Sequence, residues 1–405
     1  MSATTAEAVA KGPTKRPSVS GLTGSAREYG IVAALVVIVL LFQGMTGGRL
    51  LQPNNITSLI QQNAYVLILS VGMLMVIVAG HIDLSVGSVV ATVGGVMGVL
   101  MADLKLNWIL AVIIALVVSL LIGAWQGFWV AYVGIPAFIV TLAGMLIFRG
   151  IALILVGYTR AGFSNGFLAV SNGGLAGLTG FVGNLDAFTL IVGGIGIVGL
   201  WVTQIRRRSA LVKRNLPVGS LPFFIGQLVV FSLLIGILTY WLALSALGIP
   251  YVLLIVGVVI VVYSVVMGRS VFGRDVYAMG GNLAAAKLSG IDTRRVNFGL
   301  FVNMGLLGGI SAVVVTSRAG AAVAAAGQNY ELDAIAACFI GGAAVTGGVG
   351  RVFGAIIGAL IMGVLNMGLS ILGVDPSWQS VIKGLVLLLA VAFDLVNKRR
   401  SGATA

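Results

Sequence analysis

Few side chains in this sequence could make or break bonds, and they are not arranged to do so. The chain has one cysteine, Cys338, and one histidine, His81, which leaves no basis for a thiolate or histidine metal cluster. It contains no Gly-x-x-x-x-Gly-Lys-Ser/Thr phosphate loop, no serine nucleophile motif and no paired catalytic carboxylates. We therefore expect no catalytic residue, no metal site and no cofactor in this chain, and a membrane enzyme is the least favoured function.

The first informative polar segment is 79–88, Ala-Gly-His-Ile-Asp-Leu-Ser-Val-Gly-Ser, which interrupts a long apolar stretch. Asp83 or Ser85 can cap the helix that follows by accepting its free N–H groups. The segment contains no Lys or Arg, so a broken helix inside the bilayer competes with a plain cytoplasmic turn. In a broken helix, Asp83, Ser85 and His81 would border a solute path. For His81 alone, a packed or turn histidine is favoured over a proton relay.

The second segment, 273–291, lies in the largest predicted inner loop. Asn282 can cap a short alanine-rich helix that Gly290 ends. The three alanines at 284–286 would form a low ridge able to seat in a groove of another protein. An ordinary amphipathic surface helix is the alternative.

The third segment, Asn-Tyr-Glu-Leu-Asp-Ala-Ile-Ala-Ala, places Glu331 and Asp333 ahead of a small-residue helix, whose N-terminus they can stabilise. Three further polar side chains, Arg149, Asn366 and Lys383, fall inside predicted spans. For Arg149 and Lys383, snorkelling to an interface remains open beside a role at depth.

These segments lie in a sequence whose composition indicates a membrane protein. Of 405 residues, 59% are hydrophobic and 9% are charged, whereas a soluble domain has about 25% charged residues. The 58 glycines are spread through the apolar stretches, as expected where membrane helices pack closely. The sequence predicts an all-α integral membrane protein, a polytopic helical bundle with Gly-rich close packing.

A membrane span needs about 20 apolar residues, and about ten to twelve such runs can be placed. The two weakest predicted spans, 187–204 and 333–350, are short and glycine-rich. Because losing two adjacent spans would leave the remaining loops on the same sides of the membrane, ten spans are the alternative to twelve. The predicted spans are 30–47, 61–80, 86–103, 108–130, 135–157, 187–204, 221–243, 249–267, 297–317, 333–350, 352–373 and 379–396.

The basic residues orient these spans. With the N-terminus inside, 18 of the 24 Lys and Arg residues fall in cytoplasmic segments, as the positive-inside rule expects. Their clustering between spans accounts for the net charge of +13 without nucleic acid. We expect cytoplasmic tails at 1–29 and 398–405 around a single permease domain at 30–397. Its larger inner loops are 205–220 and 268–296, the latter with a helix near 282–289.

The longest predicted external connection is 158–186, which is either a flexible surface loop or a docking surface for an external protein. Two Gly-Ile-Pro sequences, at 134–136 and 248–250, each open a predicted span on opposite sides of the membrane. They would suit an inverted repeat, although three residues recur easily by chance.

The polar segments together resemble the permeases of bacterial ABC (ATP-binding cassette) sugar importers, the family of the ribose, arabinose, galactose and xylose permeases. The resemblance covers roughly 50–157 and 249–396. Its motifs are Gly80-x-Ile-Asp-Leu-Ser-Val-Gly-Ser88, Thr141-Leu142, Phe148-Arg149-Gly150, Gly273-Arg274, Gly280-Gly281-Asn282, Ala285-Ala286, Ser289-Gly290-Ile291 and Tyr330-Glu-Leu-Asp-Ala-Ile-Ala-Ala337.

Two departures resemble the xylose-type branch: His81 stands where family members commonly have glycine, and extra material lies around 187–243. A third departure is Ala284, which stands where the coupling loop of importer permeases begins with glutamate. The resemblance implies two permease copies, two ATPase subunits that use ATP and Mg on the cytoplasmic face, and a periplasmic sugar-binding protein outside. It also implies a location in the bacterial inner membrane and import of a monosaccharide, with xylose favoured, by alternating access.

Two sets of site residues follow as expectations. The predicted substrate path consists of polar residues of the first break and of the spans, and the predicted ATPase-coupling surface consists of residues of the second segment. The path residues are His81, Asp83, Ser85, Thr141, Arg149 and Asn366, and the coupling residues are Gly280, Gly281, Asn282, Ala284, Ala285, Ala286, Lys287, Ser289 and Gly290.

Other transport functions remain open. An ABC permease for an amino acid or a nucleoside is the nearest alternative, because recognition of a neutral polyol leaves no charge signature in the sequence. An ion-coupled secondary transporter is less favoured, since cation binding needs membrane carboxylates and only Asp83 and Asp394 fall in or near predicted spans.

Overall fold

The computed structural model describes residues 20–216 and 218–400, with the side chains of 20–29, 393–395 and 397–400 left out. Residues 99–103 and 129–133 are π-helical turns that extend α3 and α4. The helices are α1 (Ser20–Met45), α2 (Pro53–Val78), α3 (Val86–Gly98), α4 (Trp108–Phe128), α5 (Ala137–Val156), α6 (Asn165–Asn172), α7 (Ala187–Lys213), α8 (Leu221–Leu244), α9 (Tyr251–Arg269), α10 (Val271–Gly281), α11 (Leu283–Leu288), α12 (Thr293–Ala319), α13 (Tyr330–Ile340), α14 (Val352–Ile371) and α15 (Pro376–Arg400).

Four very short strands lie in the connections between helices. In the antiparallel pair of β1 (Thr159–Ala161) and β4 (Ala321–Val323), Thr159 is opposite Val323. In the second pair, β2 (Phe181–Val182) is antiparallel to β3 (Leu185–Asp186). The first pair ties the long 158–186 connection to the segment that follows α12.

Among the described residues, nine helices are long and apolar enough to cross a membrane, and parts of α1 and α15 form two shorter apolar helices. Their number and type confirm the predicted polytopic all-α membrane protein. The nine are α2, α3 with its π-turn, α4 with its π-turn, α5, α7, α8, α9, α12 and α14, and the two shorter segments are Gly30–Met45 and Pro376–Ala392.

The predicted span at 333–350 is wrong as a spanning helix. The helix there, α13, has 11 residues and is about 16 Å long, about half of the ~30 Å hydrocarbon thickness. A glycine-rich segment of turns follows it to Gly350. Sequence reasoning treated the whole apolar run as one helix because glycine is compatible with membrane helices as well as with turns.

α2 lies at the centre of the bundle. In its most apolar window 94% of the residues are buried, and it packs against α12, α14, α13 and α9. Gly72 of α2 faces Met304 and Leu307 of α12, and Arg318 near the end of α12 donates to the side-chain oxygen of Gln61 at 3.3 Å. α12 therefore runs antiparallel to α2 along most of its length.

The two halves of the bundle repeat one order of elements: a long helix, an irregular break, a shorter helix and two long helices. In the first half these are α2, residues 79–85, α3, α4 and α5, and in the second they are α12, residues 320–329, α13, α14 and α15. The Gly-Ile-Pro sequences precede α5 and α9, which do not occupy corresponding places in this order. The repeat is therefore visible in the element order and not in those three residues.

Helices α7 and α8 form a hairpin at the margin of the bundle. Thr189 is the one buried residue of α7, and α8 buries Leu228, Leu242 and Ala243. α7 continues to Lys213, so most of the segment 205–220, expected as an inner loop, is helical.

Candidate functional site

The first break, residues 79–85, is buried between helices. Gly80 has a positive φ of 86°, which turns the chain out of α2. A carboxylate oxygen of Asp83 accepts from the Ser85 backbone N–H at 2.8 Å and from the Ser85 hydroxyl at 2.6 Å. Gln126 of α4 donates to the same hydroxyl at 2.7 Å. Asp83 and Ser85 are 2% and 0% exposed, so the break is enclosed by protein.

Helix capping at this break differs from the simplest expectation. Ser85 is the residue before α3, yet its side chain accepts no hydrogen bond from the helix. Asp83 instead binds the N–H group of Ser85, one residue ahead of α3. The carboxylate therefore orders the turn into the helix and does not cap the helix itself.

Contacts of two further predicted path residues join the break to neighbouring helices. A ring nitrogen of His81 lies 3.0 Å from the Asn297 side-chain oxygen at the start of α12. Thr141 of α5, fully buried, donates to the Ile82 carbonyl at 3.3 Å. His81 is thus a packed turn histidine, and both contacts fasten the break to neighbouring helices.

The second break, residues 320–329, is held by Arg149 of α5. Its guanidinium donates to the carbonyl oxygens of Ala324 and Ala326, each at 2.8 Å. These bonds satisfy backbone acceptors that no helix or strand satisfies, as irregular backbone at membrane depth requires. Arg149 therefore fastens the second break to α5.

The two breaks meet at two glycines, so that neither segment has a side chain at the contact. A Cβ on Gly87 at the start of α3 would overlap the carbonyl oxygen of Gly327, and a Cβ on Gly327 would overlap that of Gly87. The carboxylate of Glu331, in the first turn of α13, also lies beside Gly87. The starts of α3 and α13 are therefore adjacent inside the bundle.

A buried ion pair lies in the first turn of α13. One carboxylate oxygen of Asp333 accepts from the Lys383 ammonium of α15 at 3.2 Å and from the Tyr65 hydroxyl of α2 at 2.6 Å. The rings of Tyr65 and Tyr330 stack with centroids 3.6 Å apart. The expectation that only Asp83 and Asp394 are in or near spans is wrong, because Asp333 is 1% exposed; the Asp394 side chain lies outside those described.

Asn366 belongs to this second cluster and not to the first break. Its amide donates to the side-chain oxygen of Asn63 on α2 at 3.1 Å, near Tyr65. The sequence placed Asn366 inside a predicted span, and in the structure it lies half-buried in α14. The sequence signal for its partners was weak, because single tyrosine and asparagine residues in an apolar helix are compatible with many environments.

A polar pocket of about 420 Å³ opens beside Tyr330, at the end of the bundle that carries β1 and β4. It lies between α2, α6, α12 and α13, and its amide, guanidinium and phenol groups can bind a hydroxylated solute. Sequence reasoning missed it because its residues come from four separate elements. They are Gln61, Gln62, Asn172, Val315, Arg318, Ala319 and Tyr330.

The predicted short helix at 282–289 is confirmed as α11. The Asn282 side chain accepts from the Ala285 N–H at 2.9 Å, and Gly290 has a φ of 84° just beyond the helix. Ala286 is buried, so the predicted ridge of three alanines is wrong at that position. The predicted coupling residues on the exposed surface are Gly281, Asn282, Ala284, Ala285, Lys287, Ser289 and Gly290. Leu288, which is not among them, is 90% exposed.

α10 connects this surface to the first break and to the turns after α13. A Cβ on Gly280 would overlap the carbonyl oxygen of Val78, the last residue of α2 before the first break. The same carbonyl accepts from the Gly348 N–H at 2.8 Å, and the Tyr277 hydroxyl donates to the Gly350 carbonyl at 2.6 Å. α10 therefore contacts both the end of α2 and the turns that follow α13.

Contacts along α2 show the direction of α13. Asp333 in its first turn binds Tyr65, Cys338 donates to the Ser70 carbonyl at 3.3 Å, and Gly348 reaches Val78. α13 and its turns therefore cover the half of α2 nearest α10. Residues 320–340 together pass from the end with β1 and β4 to the end with α10 and α11, so an extended segment and a half-helix replace a spanning helix.

The fold and this site define a polytopic membrane transport protein with two buried breaks between helices and an exposed helical surface at one end. The chain belongs to the family described as the permease component of branched-chain amino acid transport systems, whose model matches residues 55–391.

Named relatives match over nearly the whole chain. The xylose transport system permease protein XylH of Escherichia coli is 38% identical over 95% of this chain and 97% of its own length. XylH of Haemophilus influenzae is also 38% identical, over 92% and 97%. The ribose import permease protein RbsC of Escherichia coli is 33% identical over 92% and 94%. These similarities confirm the resemblance to sugar permeases, and no solved structure matches the chain.

Proposed function

We propose that this chain is the permease subunit of an ABC importer that carries xylose or a related monosaccharide into the cytoplasm. The observation that carries the proposal is the 38% identity to xylose permeases over 95% of the chain. The ribose permease match is lower, at 33%, which favours the xylose-type branch. The chain supplies a path and no chemistry; ATP and Mg are used by the ATPase partner.

The contacts of α10 support a mechanism for coupling. An ATPase subunit bound to α11 would displace α10, and α10 contacts the end of α2 at Val78 and the turns after α13 at Gly348 and Gly350. The first break follows Val78 directly, and the turns at Gly348 and Gly350 follow the end of α13, so one displacement would move α3 and α13 together. Alternating access would follow from repacking at the Gly87–Gly327 contact, where the two breaks touch through backbone atoms alone.

The pocket beside Tyr330 is the proposed entry of the sugar. A neutral sugar needs donors and acceptors in place of charges, and Gln62, Asn172 and Arg318 supply both kinds at this pocket. The ring of Tyr330 offers an apolar face for the C–H groups of the sugar. The predicted path residues Asp83, Ser85 and Thr141 lie on the far side of Gly87, and they hold the break in shape.

The proposed partners occupy opposite ends of the bundle. Two ATPase subunits bind the exposed faces of α10 and α11 on two copies of the permease. A periplasmic sugar-binding protein docks at the other end, where 158–186 lies. In this assembly the chain sits in the bacterial inner membrane with its α10–α11 end and both termini in the cytoplasm.

The nearest rival is an ABC permease for amino acids, and the family description itself favours keeping it. A nucleoside permease is the other rival of this kind. An ion-coupled transporter gains one buried carboxylate, Asp333, but that group is already paired with Lys383. Although Asp333 is buried, its pairing with Lys383 makes it a poor candidate for binding a coupling cation.

The test is transport by proteoliposomes that contain the permease, its ATPase and its binding protein. We expect uptake of labelled xylose that requires ATP and exceeds uptake of labelled leucine or uridine. Omitting the ATPase should abolish uptake. Uptake of leucine in preference to xylose would support the amino-acid rival, and uptake by the permease alone under a proton or sodium gradient would contradict the ABC assignment.

A further inference from the structure

The α7–α8 hairpin leaves a cleft against the body of the protein. The cleft measures about 620 Å³ and lies between the hairpin, Val32 of α1 and Phe353 of α14. Phe353 also lines a second cavity with Tyr277 of α10, so the cleft is at the α10–α11 end of the bundle. Its volume is in the ~300–1,000 Å³ range of ligand pockets.

The walls of the cleft are apolar and aromatic. Phe224 and Phe231 of α8 face Phe353 across it, and Leu234 extends the surface along α8. Gly226 lies in the same wall, and a Cβ placed there would have nothing within 4 Å. Apolar walls offer water few hydrogen-bond partners, so an apolar chain is the more favourable occupant of this cleft.

The rim of the cleft is basic. Arg207, in the penultimate turns of α7, lines it together with Gln204, and the Arg208 guanidinium stacks 4.9 Å from the centre of the Phe224 ring. Arg206, Lys213 and Arg214 belong to the same basic cluster in the sequence but do not line the cleft, and residues 187–250 contain no Asp or Glu. The cluster therefore has no acidic neighbour in its own hairpin.

We propose that this cleft binds an anionic phospholipid of the leaflet on the α10–α11 side. The phosphate lies against Arg207 and Gln204, and an acyl chain lies along Phe224, Phe231 and Phe353. An apolar groove that ends at arginines at the membrane surface matches a molecule with both a chain and an anion. This inference concerns a structural lipid and does not depend on which solute the protein carries.

Native mass spectrometry of the detergent-purified chain tests the proposal with phosphatidylglycerol and phosphatidylcholine of identical acyl chains. We expect the protein to retain phosphatidylglycerol about five-fold more strongly, the effect of roughly one basic contact at an anionic lipid. Arg207→Gln should remove that preference. Arg206→Gln is the matched control, since it removes the same charge from a neighbouring residue that does not line the cleft.

The apolar wall has its own variant. Gly226→Leu fills the cleft without meeting any atom within 4 Å at its Cβ and should displace the lipid chain. Gly199→Leu on α7, which is equally open, is the control and should retain phosphatidylglycerol. Thermal unfolding in detergent checks that all four variants fold.

Three results would overturn the proposal. Equal retention of the two lipids by the wild type shows that no anionic headgroup is selected. Equal losses in Arg206→Gln and Arg207→Gln show diffuse attraction to charge without a site. Disulfide-linked dimers of Gly226→Cys that phosphatidylglycerol does not suppress show that a second copy of the chain covers the cleft.

Discussion

α2 and the α7–α8 hairpin are both membrane segments, yet they are stabilised in opposite ways. In the most apolar window of α2, 94% of residues are buried, against 11% in α7 and 6% in α8. The mean hydropathy of the exposed helix α8 is nevertheless higher than that of the buried helix α2, 2.4 against 1.7. In this comparison the more hydrophobic helix is the one exposed to lipid, and the helix buried in the centre contains more polar and small side chains.

The physical reason lies in the solvent. Lipid tails are as apolar as leucine, so membrane helices gain little by hiding apolar side chains from them. They associate through close packing and hydrogen bonds, and α2 provides both through Gly72, Tyr65 and Asn63. In the hairpin, contacts of this kind include the hydrogen bond from Trp201 to Ser232 at 2.8 Å and the packing of Gly193 on Thr239. This contrast predicts where substitutions will matter.

Glycine substitutions should separate the two regions most strongly. A Cβ on Gly358 of α14 would overlap the Ala337 carbonyl of α13, whereas a Cβ on Gly236 of α8 would have nothing within 4 Å. We expect Gly358→Ala to lower the free energy of unfolding by about 3 kcal/mol through overpacking. Gly236→Ala should raise it by about 0.5–1 kcal/mol, because alanine favours the helix. Thermal or denaturant unfolding in detergent measures both, and equal effects would break the comparison.

Breaking the buried ion pair should have the next largest effect. Lys383→Met leaves the Asp333 carboxylate without its cation, and we expect a loss of about 2 kcal/mol, below the usual cost for buried pairs because Lys383 is 21% exposed. Adding Asp333→Leu to this variant should recover part of the loss. A double-mutant cycle gives the coupling energy, and additive single effects would show that the pair is unimportant.

The contact of α10 with α2 offers a sharper test of function. Gly280→Ala forces a methyl group into the Val78 carbonyl, while Gly281→Ala meets nothing within 4 Å. We expect Gly280→Ala to cost about 1–2 kcal/mol of stability. In the reconstituted importer it should lower sugar uptake for each ATP hydrolysed, and Gly281→Ala should not. Equal coupling in both variants would show that α10 does not transmit the motion.

The smallest effect is expected at the start of the hairpin. Burial alone would raise the pKa of Asp186, but hydrogen bonds from the Thr189 side chain, the Gly177 N–H and the Thr189 N–H hold it below its ordinary value. Asp186→Ala removes this N-cap and should cost about 1 kcal/mol.

The pH dependence of this effect has a definite sign. A carboxylate with a lowered pKa stabilises the fold above its ordinary pKa, and that contribution is lost as the pH falls through the lowered value. The difference in unfolding temperature between wild type and Asp186→Ala should therefore shrink as the pH falls from about 6 to about 3. A difference that grows on acidification would contradict the hydrogen bonds described here.

The features that could be predicted from the sequence are those set by residues close together in the chain. The interruption at 79–88 and the capped helix after Asn282 could be anticipated because glycine, asparagine and acidic residues stand out in an apolar chain. The half-helix α13 could not, because its length depends on how the following glycines pack against α14 and α10. The Asp333–Lys383 pair joins residues 50 positions apart, and the pocket at Tyr330 joins four elements. Only the tertiary arrangement shows such partners.

The most direct test of the central claim is cross-linking to the ATPase subunit from the two ends of the bundle. Leu288 in α11 is 90% exposed, and Tyr158, next to β1 at the other end, is 98% exposed. With each residue replaced by cysteine and a thiol cross-linker added to membranes containing the co-expressed ATPase, Leu288→Cys should capture the ATPase and Tyr158→Cys should not. Capture from Tyr158→Cys, or none from Leu288→Cys, would contradict the account.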